Sequence, residues 1–176
     1  AEWRHNKTPI PQQIQILKAI CEYIAEETRV NSTNIYYSVE NNTIGEAALI
    51  SIADIGEENI PGIFLSEPKR AGNVRAFRKG FNTTNRVKLS SCAKLKTLIE
   101  SSKMHIRSKP LISELKTFIA AGGSYAAKQG ETDDLVMSTI LVLRIANELK
   151  NYVPELDNSL RDGSEDYDQP MPFIML

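Results

Sequence analysis

The sequence predicts an α/β fold, on three observations. Two β-rich runs, Ile35-Tyr36-Tyr37-Ser38-Val39-Glu40 and Ile60-Pro61-Gly62-Ile63-Phe64-Leu65, flank a segment of helical character. That order makes a β-α-β unit, whose strands are expected to be parallel. Near the start, Ile14, Leu17, Cys21 and Ile24 recur at three and four residues, the spacing of one helix face. Near the end, Leu135 to Leu143 is apolar almost all round, which predicts a buried helix.

The elements follow in order. Pro9 and Pro11 precede the first helix, where proline is accepted. Asn31-Ser32-Thr33-Asn34 break the chain before the first strand. Gly45 allows a tight turn into the helix that begins at Glu46 and ends near Gly56. Residues 69–89 are irregular in pattern, with turns expected at Gly72, Gly80 and Asn82–Asn85. Ser90 or Ser91 is expected to cap a helix from Cys92 to Ser101. Met104–Arg107 reads as a short strand, and Pro110 opens a helical turn with Leu111, Ile112 and Leu115. Gly122-Gly123 separates two short apolar runs as a hairpin or loop. Thr132 or Asp133 caps the long helix to about Asn151.

A chain of 176 residues, 41% hydrophobic and 24% charged, is long enough to bury a core. No stretch approaches the roughly 20 apolar residues of a membrane span. Cys21 and Cys92 follow no disulfide or zinc spacing, and a reducing compartment is expected.

The net charge of −1 conceals an asymmetry. Residues 69–109 hold twelve Lys or Arg against Glu100 alone, a local excess of +11. Residues 151–176 hold six acids against Arg161. Such a basic field attracts a phosphate backbone. Lys69, Arg70, Arg75, Arg78, Lys79, Arg86 and Lys88 are the expected DNA-binding residues.

Acids sit at the ends of the buried elements. Glu40 closes the first strand, and Asp133 and Asp134 open the last helix. An acid at the carboxyl end of a parallel strand faces the crevice where open α/β sheets bind ligands. Brought together, three such acids would repel, and a divalent cation removes that cost. Carboxylate oxygens suit Mg²⁺ or Mn²⁺, and two such ions can drive phosphodiester cleavage. Glu40, Asp133 and Asp134 are therefore the candidate catalytic and metal-binding residues. Against this, an Asp at a helix start is most often only a cap.

The run Tyr37-Ser38-Val39-Glu40-Asn41-Asn42-Thr43-Ile44-Gly45-Glu46-Ala47 resembles the strand-acid-Asn-Asn-x-x-Gly motif of a nuclease domain. That domain belongs to the large terminase subunits of tailed bacteriophages. Gly130-Glu131-Thr132-Asp133-Asp134-Leu135-Val136 is similar to the same family's later Gly-x-His-Asp-Asp-Leu-Val motif. Lys79-Gly80-Phe81-Asn82-Thr83-Thr84, Leu111–Phe118 and His5-Asn6-Lys7-Thr8-Pro9 fit the pattern too. The resemblance covers roughly residues 1–150.

The resemblance implies an RNase H-like mixed sheet flanked by helices over residues 1–152, with a basic insert at about 69–89 and an acidic tail over 153–176. It implies a metal-dependent endonuclease that cuts double-stranded DNA during genome packaging in the cytoplasm of an infected bacterial host. Its partners would be the terminase ATPase domain, the small terminase subunit and the portal. Thr132 stands where the family has His. The family's first catalytic Asp lies on an upstream strand, whereas here no Asp precedes Asp54. A domain lacking its first strands, and inactive alone, is expected. The alternatives are a non-catalytic DNA-binding or assembly module and another RNase H-like nuclease such as a resolvase.

Overall fold

The computed structural model describes residues 2–5, 7–67, 79–150 and, as backbone alone, 173–175. These residues form a mixed α/β chain with five α-helices and two small sheets. They divide into two compact units. One holds residues 3–82 and the strand at 173–175, and the other holds the residues from Thr83 to Lys150.

In the first unit, helix α1 spans Ile10–Thr28, with a proline in its first turn and Arg29 in the left-handed conformation at its end. Its face of Ile14, Leu17 and Cys21 is fully buried. That face joins Ile35, Tyr37, Val39, Ala48, Ile52 and Ile60 in one core. Strand β1, Tyr36–Ser38, leads to helix α2, Thr43–Ile55, and then to strand β2, Ile63–Phe64. β1 is the central strand. It runs parallel to β2, with Tyr36 opposite Ile63, and parallel to β5, Phe173–Met175, with Tyr36 opposite Phe173. The β-α-β unit and its parallel sense are as the sequence predicts. Residues 173–175, near the end of the chain, supply the third strand.

The predicted strand 35–40 is regular only over three residues, but its line continues. Ile35 and Tyr37 carbonyls accept from Ile63 and Leu65, and the Val39 carbonyl accepts from Phe81 N at 3.0 Å. Asn41 N then donates to the Phe81 carbonyl at 2.7 Å. The segment 79–81 thus extends the edge that β2 begins. Gly80 permits this: its φ is +82°, and a β-carbon there would stand 2.5 Å from the Val39 carbonyl oxygen.

The second unit contains α3, Asn85–Glu100, and α4, Lys109–Thr117. The hairpin β3, Phe118–Ala121, and β4, Ser124–Ala127, follows, and then α5, Asp134–Lys150. Cys92, Leu95, Leu111, Val136 and Ile140 form its core. Gly122 and Gly123 close the antiparallel hairpin with positive φ, as the sequence suggests.

Two expectations are corrected. α3 starts at Asn85 and is capped by Thr84, whose hydroxyl accepts from Val87 N, not by Ser90 or Ser91. The tail of the supposed irregular basic insert is therefore helical. Met104–Arg107 is not a strand, because it has no strand partner among the described residues.

Cys21 and Cys92 are free and buried. Burial, with a smaller contribution from Glu22, pushes the Cys21 thiol up to about 11. None of the described helices is long and apolar enough to cross a membrane.

Candidate functional site: two carboxylate positions

Glu40 lies in the first unit, two residues past β1, and is half-buried. The residues after it hold it in place. Asn42 Nδ2 donates to Glu40 Oε2 at 3.1 Å, while Asn42 Oδ1 accepts from Gly45 N at 2.8 Å. One side chain thus caps α2 and ties the acid to it. Asn41 Nδ2 donates to the Lys79 carbonyl at 2.8 Å, and its buried Oδ1 has no partner among the described residues. A β-carbon at Gly45 would overlap the Glu40 carbonyl oxygen. The run from Glu40 to Gly45 is therefore a compact strand-to-helix turn in which Asn42 and Gly45 each have a geometric task.

Asp133 and Asp134 lie in the second unit, at the start of α5. Asp134 is exposed. Asp133 is half-buried, with its Oδ2 3.5 Å from Lys88 Nζ. Their side chains are 28% and 18% exposed, so the pair is screened less than an open surface bridge. Lys88 also stands 5.5 Å from the centre of the Phe118 ring, which stacks on Tyr125. Burial pushes the neighbouring Cys92 thiol up, with Lys88 opposing and Asp133 reinforcing that shift.

Two buried charged residues of this unit escaped the sequence reading. Glu114 on α4 is 5% exposed. Its Oε2 accepts from Leu135 N at 2.8 Å and Val136 N at 3.2 Å, and its Oε1 accepts from Thr132 Oγ1 at 3.1 Å. The signal was present: Leu111, Glu114, Leu115 and Phe118 share the spacing of one helix face, so the acid falls on the apolar stripe. Arg144 on α5, also buried, donates to Thr83 Oγ1 at 3.2 Å.

The expected DNA-binding residues fare unequally. Lys69, Arg70, Arg75 and Arg78 lie outside the described residues. Lys79 is exposed but paired with Glu57 at 2.5 Å and set 5.9 Å from the Phe64 ring centre. Lys88 is engaged with Asp133. Arg86 is exposed in the first turn of α3 and makes no ion pair among the described residues.

Glu40, Asp133 and Asp134 offer hard oxygen donors that fit Mg²⁺ or Mn²⁺ chemically. Among the described residues no three His, Cys, Asp or Glu side chains gather closely enough to hold an ion. Compared with models of known protein families, the chain matches none.

Proposed function

We propose that this chain is an RNase H-like, metal-dependent endonuclease domain of a phage DNA-packaging terminase. One observation carries this: Asp133 sits where a helix cap belongs, yet Glu114 takes the amides it would cap. The common structural use of that Asp is thereby removed. Glu40, pinned past the end of a central parallel strand, supports the same reading.

In this function Glu40, Asp133 and Asp134 hold Mg²⁺ or Mn²⁺. Metal ions held there would supply Lewis-acid chemistry for cleavage of double-stranded DNA. The chain's cations hold the phosphate backbone. The ATPase domain, small terminase subunit and portal are its partners in the same proposal.

A Mn²⁺ titration followed by amide NMR tests this, alongside cleavage of linear duplex. Broadening is expected around both Glu40 and Asp133–Asp134, and its loss is expected in Glu40→Ala and Asp133→Asn. Broadening at neither position rejects the nuclease. Mg²⁺-dependent nicking that Glu40→Ala abolishes would support it.

A second reading is a non-catalytic DNA-binding module. The ion pair that already occupies Asp133 favours it. Salt-dependent duplex binding with no response to metal would decide for it.

A further inference from the structure

Asp133 occupies the capping position of α5, because its carbonyl accepts the first intrahelical bond, from Met137 N at 2.8 Å. An Asp there ordinarily turns its side chain back onto the amides two and three residues ahead. Those amides belong to Leu135 and Val136, and both donate to Glu114 Oε2.

We infer that Glu114 is a positioning residue: it caps α5 from the neighbouring helix and so releases the Asp133 carboxylate to face a cation. A buried carboxylate is strongly disfavoured without donors, and here two amides and the Thr132 hydroxyl satisfy it. The positive end of the α5 dipole favours it further. A second carboxylate folded onto the same turn would meet Glu114 and be repelled. Asp133 therefore points away, toward Lys88. Thr132 has its own part, since its hydroxyl fixes the second oxygen of Glu114. The release of Asp133 is a matter of helix capping; only its use for a metal rests on the proposed function.

The test uses the full chain. Without metal, Asp133→Ala should leave hydrogen exchange at Leu135 and Val136 within about threefold of the parent, because the cap is intact. A rise of tenfold or more would make Asp133 the cap and overturn the inference. In a Glu114→Ala background the Asp133 side chain is expected to take over the cap. There Asp133→Ala should lower Tm by about 4 °C more than it does in the parent; additive shifts would count against the inference. If Glu114→Ala does not fold, the exchange experiment on Asp133→Ala still decides.

With Mn²⁺, Glu114→Ala should weaken binding at Asp133 by about 10-fold or more, and Glu114→Gln, which keeps an acceptor oxygen, should restore most of it. Binding unchanged in Glu114→Ala overturns the positioning role. No binding by the parent chain defeats the nuclease proposal instead, and the exchange result then stands on its own.

Discussion

Gly45 packs so closely beneath the Glu40 carbonyl oxygen that no β-carbon fits between them. The helix that follows the acid can therefore begin at once, with Asn42 closing its first turn. Gly45→Ala is expected to cost about 2–3 kcal/mol, because the overlap is with backbone and cannot be relieved by a rotamer change. Urea unfolding measures this; a change below about 0.5 kcal/mol would mean that the turn relaxes freely.

Lys88 competes for the charge of Asp133. Lys88→Met should change stability by no more than about 1 kcal/mol, since the pair is partly solvated. The same variant should bind Mn²⁺ several-fold more tightly than the parent, because a resident cation is gone. Calorimetric titration of both proteins gives the comparison, and weaker binding in the variant would assign Lys88 a supporting rather than a competing role.

The buried thiol of Cys21 makes the first unit sensitive to alkali. Its pKa in the fold is raised from 9.0 to about 11, so the folded state holds the proton more tightly than the unfolded chain. The resulting stabilisation is complete below pH 9 and is lost as the pH rises to about 11. The total loss is about 3 kcal/mol. Tyr37, also pushed up by burial, adds to the decline at higher pH. Unfolding free energies between pH 8 and about 11 should fall less steeply in Cys21→Ala than in the parent.

Duplex binding should depend on Arg86 more than on Lys79. Arg86 sits near the amino end of α3, where the helix dipole disfavours a cation by about 0.3–1 kcal/mol, and a phosphate would relieve that. Lys79 must first give up Glu57. Arg86→Ala is expected to weaken binding and to reduce the salt slope by about one, with Lys79→Ala nearly silent. Fluorescence anisotropy at several salt concentrations distinguishes these outcomes.

Much of the fold was legible because local pattern and tertiary packing agree. Tyr36 to Ser38, α2 and the hairpin around Gly122-Gly123 follow directly from β-branched or aromatic runs and turn glycines. The start of α3 was not legible, because Asn85 and Arg86 are exposed and give no apolar periodicity. Residues 104–107 alternate half-buried and exposed, as a strand would, but Met104 and Ile106 pack on a helical core with no pairing partner among the described residues. Alternation records burial, not hydrogen bonding. The candidate acids were named from their places at element ends. The role of Glu114 is not legible in sequence, since residues 114 and 135 meet only in three dimensions.

The strand at 173–175 makes the first unit discontinuous in sequence: its central strand is completed by residues that return after α5. A chain cut after Lys150 would leave one flank of Tyr36–Ser38 with open amides and carbonyls. Such a bare border recruits whatever extended peptide is nearby. Shortened versions of this protein should therefore self-associate as their concentration rises, and a synthetic peptide of residues 170–176 supplied in excess should keep them monomeric.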